Sequence, residues 1–181
     1  MNIILMGIQG SGKSTQGNLL SKKLNIPYLS SGHIFREIAK EETEWGKYVR
    51  QTVNSGQLIP DEKVVPIVEE YLSKPEYAKG FILDGFPRTL NQVHAFNHPI
   101  DLVILVELTD KEALWRLSSR NDGRDDETLG AVRKRIELFH TLTEPVIHHY
   151  GEKNILKKVN GEPSVEKVFE DITTSLPPSS A

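Results

Sequence analysis

Gly7-Ile8-Gln9-Gly10-Ser11-Gly12-Lys13-Ser14 directly follows the apolar run Ile3-Ile4-Leu5-Met6 and fits G-x-x-x-x-G-K-[ST] at every fixed position. In such a segment glycines let successive backbone N–H groups turn inward on phosphate oxygens, and the lysine adds a mobile positive charge. A helix opening at the same point aims its positive end at the same anion. The segment lies between a predicted strand and an amphipathic stretch carrying Leu19, Leu20 and Leu24, the context the motif requires. These residues imply a nucleoside triphosphate site.

A second group is Phe81-Ile82-Leu83-Asp84-Gly85-Phe86-Pro87-Arg88. A carboxylate ending an apolar strand beside a phosphate loop is placed to hold Mg²⁺, directly or through water. Taken alone, Asp84 reads equally well as a strand-end or helix-capping residue, and Arg88 as a surface charge. A third group is Arg36, Arg88, Arg120, Arg124 and Arg135. Guanidinium makes planar, bidentate contacts with phosphate. Phosphoryl transfer needs two anionic groups held in line while charge on the moving group is stabilised.

The elements that must position these residues alternate along the chain. Strands are predicted at Asn2–Met6, Tyr28–Ser30, Phe81–Asp84, Leu102–Leu108 and Ile155–Asn160, with helical spacing between them, as in Val64, Val68, Tyr71, Leu72 and in Val165, Val168, Phe169, Ile172. Short, near-continuous apolar strands separated by helices predict a five-stranded parallel sheet covered on both faces, a three-layer α/β/α fold. Ligands gather at the carboxyl ends of such strands, where Gly7, Ser30 and Asp84 fall. Residues 31–60 read as a small helical excursion over that edge. A helix is predicted from about Asp126 to Tyr150, broken near Pro145, and a local bend is expected at Pro66.

Composition bounds the answer. The 181 residues suit one domain, and 22 Lys and Arg against 25 Asp and Glu give a net charge of −3, which argues against general nucleic-acid binding. No apolar run approaches membrane-spanning length, and the N-terminal strand leads straight into the phosphate loop, so neither a membrane span nor a signal peptide is expected. The absence of cysteine removes disulfides and thiolate metal sites and fits a cytoplasmic protein. No exposed apolar stripe is evident, which favours a monomer. Trp45 and Trp115 read as packing residues. His148 and His149, adjacent on a helix, point apart by about 100° and suit one packed and one solvated ring rather than a shared ion.

Across roughly residues 1–175 the chain resembles the adenylate kinase family of nucleoside monophosphate kinases. The matching blocks occur in order: GIQGSGKSTQ (7–16), SSGHIFR (30–36), GQLIPD (56–61), FILDGFPRTLNQ (81–92), RLSSR (116–120), Gly123-Arg124 with the acids after it, RKR (133–135) and EPVIHHY (144–150). The resemblance implies transfer from MgATP to AMP, giving two ADP. It implies a core P-loop domain over residues 1–30 and 61–181, an AMP-binding subdomain over 31–60, and a short lid loop over 120–125. Gly10, Ser11, Gly12, Lys13, Ser14 and Thr15 would cradle the ATP phosphates. Arg120 would lie against the donor nucleotide and Gly161 would border its adenine. Arg36 and Arg88 would clamp the AMP phosphate, with Ser31, Gln57, Leu58, Ile59 and Gly85 around the acceptor and Gln92 reading its base. Arg124 and Arg135 would converge on the phosphoryl in flight. Ser14 and Asp84 would serve Mg²⁺.

Several positions depart from the family pattern. Gln9 stands where proline is usual, Ser14 where glycine is usual, and His33 where an acid is usual; the second aligned acid after Arg124 is Glu127. Only Asn121, Asp122 and Gly123 separate Arg120 from Arg124, too few for an extended lid, and without cysteine a zinc-stabilised lid is not expected. Gln92 with Ser31 favours AMP, because similar uridylate/cytidylate kinases carry asparagine and alanine there. A UMP/CMP kinase of the same fold and a catalytically inactive nucleotide-binding regulatory protein are the alternatives. A GTPase is excluded by the lack of an Asn-Lys-x-Asp motif.

Overall fold

The structure, a computed structural model, describes residues 1–119 and 128–177. Its strands are β1 (Asn2–Met6), β2 (Tyr28–Ser30), β3 (Phe81–Asp84), β4 (Leu102–Glu107) and β5 (Leu156–Asn160), hydrogen-bonded in the order β2-β3-β1-β4-β5 with every neighbouring pair parallel. The first three match the sequence prediction residue for residue. β4 ends one residue sooner and β5 begins one residue later.

Period-two alternation sends side chains to both faces of the sheet. Ile3, Leu5, Ile82, Ile104 and Val106 pack with Leu20 of α1 (Lys13–Leu24) and with Val168 and Ile172 of α9 (Val165–Thr174). Ile4, Met6, Leu83, Val103 and Leu105 pack on the opposite face. There they meet Ile34 of α2 (Ser31–Ile38), Val49 of α3 (Glu44–Asn54), and Val64 and Val68 of α4 (Asp61–Leu72). Both faces being buried explains why β1, β3 and β4 read as continuous apolar runs, whereas the edge strand β5 carries exposed Lys157 and Lys158. The register pairs Leu5 and Ser30 with Asp84 and Met6 with Leu105, so β2 and β3 end level and β1 runs one residue further. Their following residues therefore open onto one edge.

Residues 31–60 hold the two helices α2 and α3, capped by the hydroxyls of Ser30 and Thr43, which accept from the backbone N–H groups of His33 and Gly46. Gly56, at φ +75, lies so close to the backbone of Ala131 that no side chain fits between them. This contact ties the end of the excursion to α7 (Leu129–Leu138).

Three expectations change. The long helix predicted up to Tyr150 is two helices, α7 and α8 (Glu144–Glu152), joined by a π-helical turn at Phe139–Thr143. In a continuous α-helix Pro145 would leave the Thr141 carbonyl without a donor and press its ring against it. The wider turn, in which the N–H of Glu144 donates to the Phe139 carbonyl, moves the break ahead of the proline. Asp126 and Glu127, where that helix was expected to begin, lie outside the described residues. Pro66 does not interrupt α4: its ring is exposed, while Val64, Val65, Val68 and Leu72 hold the helix to the core. Trp115 is 63% exposed rather than packed. On α6 (Asp110–Ser118), Ala113 and Leu117 form the buried face, and Trp115 falls between them on the other side. Trp45, by contrast, packs on the core and stacks on Tyr48 at 5.5 Å between ring centroids. His148 is exposed and His149 half-buried, as expected of adjacent helix positions.

His140, in the π turn, joins Glu144 through Nδ1 and Asp110 at the start of α6 through Nε2, 3.0 Å away. Hydrogen bonding to Glu144 and then to Asp110 raises its pKa. A pKa raised by folding stabilises the protein below the unfolded value, near ~6.5, and that contribution is lost as pH rises through the folded value. Thermal unfolding of wild type and His140→Ala should therefore differ most near pH ~6 and converge by pH ~9. A difference that grows with pH would contradict the role of the imidazolium.

Candidate active site

At the carboxyl edge β1 leads into the phosphate loop, and Gly12 is the last residue before α1. Its φ of +88 is strained for any residue with a Cβ, and nothing crowds the place where one would project. The loop thus needs glycine here for backbone conformation, not for lack of space. α1 has no acid in its first turn and ends with Lys22 and Lys23, so its positive end faces the loop without a competing carboxylate. Lys13 folds back over the loop: Nζ donates to the Ile8 carbonyl at 2.9 Å and to Ser11 Oγ at 3.4 Å.

Facing the loop across one cavity are the start of α2, the segment after β3, residues 57–59 and α7. Among the described residues lining the cavity are the cationic Lys13, Arg36, Arg88 and Arg135 and one carboxylate, Asp84. Burial lowers the Arg88 pKa, and repulsion from Arg135 and Arg36 adds to the shift against the attraction of Asp84. A guanidinium keeps its proton regardless, so the crowding is relieved by anions. Arg88 is held by its own loop, Nε donating to the Gly85 carbonyl at 2.7 Å. The buried Thr143 hydroxyl donates to the Arg88 carbonyl at 3.0 Å. Arg135 spans two elements. Nη1 donates to Gln9 Oε1 in the phosphate loop at 3.3 Å, and Nη2 donates to the Val53 carbonyl in the last turn of α3 at 2.8 Å.

Asp84 is 7% exposed, and its Oδ2 accepts from the Tyr28 hydroxyl at 2.7 Å. Burial, then the Asp84 charge, push the Tyr28 phenol well above its ordinary pKa, so the phenol stays a donor. Asp84 and Ser14 line the same cavity as Lys13. Among the described residues no group of three His, Cys, Asp or Glu side chains could cage a metal. This donor set fits Mg²⁺ that arrives on phosphates and keeps its waters, which needs only one or two carboxylates from protein.

Gln92, 2% exposed, sits in the first turn of α5 (Leu90–Ala95). Its Oε1 accepts from the Arg88 backbone N–H at 2.7 Å and its Nε2 donates to Asp61 Oδ1 at 2.8 Å. The Thr89 hydroxyl donates to Asp61 Oδ2 at 2.8 Å and accepts from the Gln92 N–H at 3.1 Å.

Of the residues the sequence singled out, Gly10, Gly12, Lys13, Ser14, Ser31, Arg36, Gln57, Leu58, Ile59, Asp84, Gly85, Arg88, Gln92 and Arg135 line this one cavity. Ser11 is buried in the loop beneath it, and Thr15 is exposed on the first turn of α1. Gly161 packs against Val106, Glu107 and Ser11; its N–H donates to Glu107 and its carbonyl accepts from Arg116 Nη1 at 2.9 Å. Arg120, Arg124 and the 120–125 lid lie outside the described residues. Sequence reasoning assigned no role to Gln9, Tyr28, Asp61, Thr89, Arg116 or Thr143, each of which has a partner far along the chain. Two carried a local signal: Thr89-x-x-Gln92 has the spacing of a capping box, and Arg116 stands four residues after Glu112 on α6, where Nε donates to Oε1 at 2.8 Å.

The family model described as adenylate kinase matches residues 5–155. An adenylate kinase of Desulforudis audaxviator (strain MP104C) is 34% identical, over 97% of this chain and 99% of the relative. An adenylate kinase of Staphylococcus aureus (strain Mu50 / ATCC 700699) is 35% identical over the same shares, and one of Caldicellulosiruptor bescii is 34% identical. These alignments span 212 positions against the 181 residues here, so each relative carries at least 31 residues without a counterpart.

Gly85, at φ +79, leaves no room for a methyl group: a Cβ would stand 2.7 Å from Ser31 Oγ and 3.1 Å from Arg88 Nη2. Gly85→Ala should lose about 1–3 kcal/mol in urea unfolding from backbone strain. It should also weaken binding of a nucleoside monophosphate by about tenfold in titration calorimetry, because Arg88 is displaced. Wild-type values in both would show that this close approach has no function.

Proposed function

The chain belongs to the adenylate kinase family, and on that premise we propose how its own residues divide the work between two nucleotides. It is a phosphotransferase, converting ATP and AMP to two ADP. The ATP phosphates lie on residues 10–15 at the positive end of α1, with Lys13 exchanging the Ile8 carbonyl for phosphate oxygens. Arg120 lies against the donor nucleotide. Gly161 borders the adenine through its backbone: its N–H is engaged with the Glu107 carbonyl, while its own carbonyl, accepting from Arg116 Nη1, keeps a second lone pair. Arg36 and Arg88 clamp the AMP phosphate, Ser31, Gln57, Leu58, Ile59 and Gly85 surround the acceptor, and Gln92 reads its base.

The observation that carries this reading is the convergence of Lys13, Arg36, Arg88 and Arg135 on one cavity with a single carboxylate among its described lining residues. An AMP phosphate oxygen attacks the γ-phosphorus of ATP, and the bond to the oxygen bridging the β- and γ-phosphates breaks in line with it. No general base is needed, because the attacking oxygen is ionised at neutral pH. Arg135 and Arg124 stabilise charge on the moving group. Asp84, oriented by Tyr28, and Ser14 would hold Mg²⁺, directly or through water; the ion neutralises charge on the donor phosphates when bound.

A short lid over 120–125 accounts for the three-residue spacer between Arg120 and Arg124, and the greater length of the relatives agrees with it. Among the described residues no helix is long and apolar enough to cross a membrane. A monomeric, cytoplasmic enzyme acting on free nucleotides and not on nucleic acid suits the net charge of −3 and the lack of cysteine. The pyrimidine-specific and inactive readings gain no support from the relatives.

Lys13→Ala and Arg88→Ala should each lower kcat/KM by about 10²–10⁴-fold, as expected for removal of preorganised electrostatic stabilisation. The Lys13 variant should lose saturation by ATP more than by AMP, and the Arg88 variant the reverse. Losses below about tenfold in both would overturn these roles.

A further inference from the structure

We propose that Asp61 and Thr89 set the selectivity for the acceptor base by locking the Gln92 side-chain amide in one of its two flips; this rests on the reading that Gln92 faces that base. An amide offers two N–H donors and an oxygen with two lone pairs, and which end points where is decided by its surroundings. Here both ends receive the same instruction. The Arg88 backbone N–H, 2.7 Å from Oε1, can only donate. The Asp61 carboxylate, with Oδ1 2.8 Å from Nε2, can only accept. Rotating the amide by half a turn would set N–H against N–H and oxygen against carboxylate in a site where Gln92 is 2% exposed. Thr89 fixes the carboxylate in turn, donating to Asp61 Oδ2 at 2.8 Å.

These bonds use one N–H and one lone pair, and the amide keeps one of each for a ligand. A 6-aminopurine presents a ring nitrogen that accepts beside an amine that donates, the complement of that pair. A 6-oxopurine presents a ring N–H beside a carbonyl, the reverse order. A glutamine free to turn would satisfy either base and distinguish neither. The discrimination therefore resides in the lock rather than in the choice of glutamine. Cytosine shares the order of adenine, whereas guanine and uracil carry that of the oxopurine.

AMP and IMP differ only in this edge, so the test is the ratio of kcat/KM for the two acceptors in wild type, Asp61→Asn, Thr89→Val and Gln92→Ala. The ratio compares two substrates on one folded population, so lost stability cancels. Asp61→Asn lets the neighbour donate as well as accept and should lower the AMP/IMP ratio by at least about tenfold, with activity toward IMP retained or raised. Thr89→Val should lower it by a smaller factor, which keeps the lock testable if Asp61→Asn folds poorly. If Gln92→Ala collapses the ratio while both other variants keep the wild-type value, the lock is overturned and the base-reading role of Gln92 stands. If Gln92→Ala leaves the ratio unchanged, or wild type uses AMP and IMP equally, the base-reading role falls and the lock with it.

Discussion

Four cations face one another around one cavity, and neutral backbone carbonyls take part in holding three of them. Lys13 donates to Ile8, Arg88 to Gly85 and Arg135 to Val53. A phosphate oxygen is a stronger partner for a charged donor than a carbonyl is, so exchanging one for the other is favourable. A carboxylate in the carbonyl's place would compete with the substrate on nearly equal terms. Among the described lining residues Asp84 is the exception, and its Oδ2 is engaged by Tyr28.

The fold exists around this arrangement in a direct sense. Parallel pairing brings the ends of β1, β2 and β3 within one residue of each other in register, so the phosphate loop, the start of α2 and the Gly85–Arg88 segment arrive together. Helix packing brings the rest: Gly56 against Ala131 joins the 31–60 helices to α7, which carries Arg135. The π turn after α7 then delivers Thr143 to the Arg88 carbonyl. Arg135 touches both the phosphate loop and the end of α3, so a phosphate held there would exchange contacts with two elements at once.

The central strands β1, β3 and β4 could be read from sequence because both faces are buried and each is a short apolar run between polar segments. The phosphate loop could be read because its chemistry dictates residues at fixed spacing, and the ordered arginines because their blocks resemble one family. What could not be read rests on contacts without spacing. Tyr28 meets Asp84 across neighbouring strands, and Gln9 meets Arg135 from opposite ends of the chain. Trp115 was misplaced because large aromatic character outweighed the Ala113 and Leu117 spacing that sets the buried face of α6. The break near Pro145 was expected but its form was not, because proline marks a disturbance without saying whether the chain will bend, stop or widen into a π turn.

The most direct test of the central claim is ADP formation from MgATP in a coupled assay, run with AMP, UMP, CMP or GMP as acceptor, or with none. The proposed division of the cavity between two nucleotides, with Gln92 reading the acceptor base, predicts rapid turnover with AMP and far slower turnover with UMP and GMP. Absence of transfer to any acceptor, in protein shown to bind ATP, would contradict it.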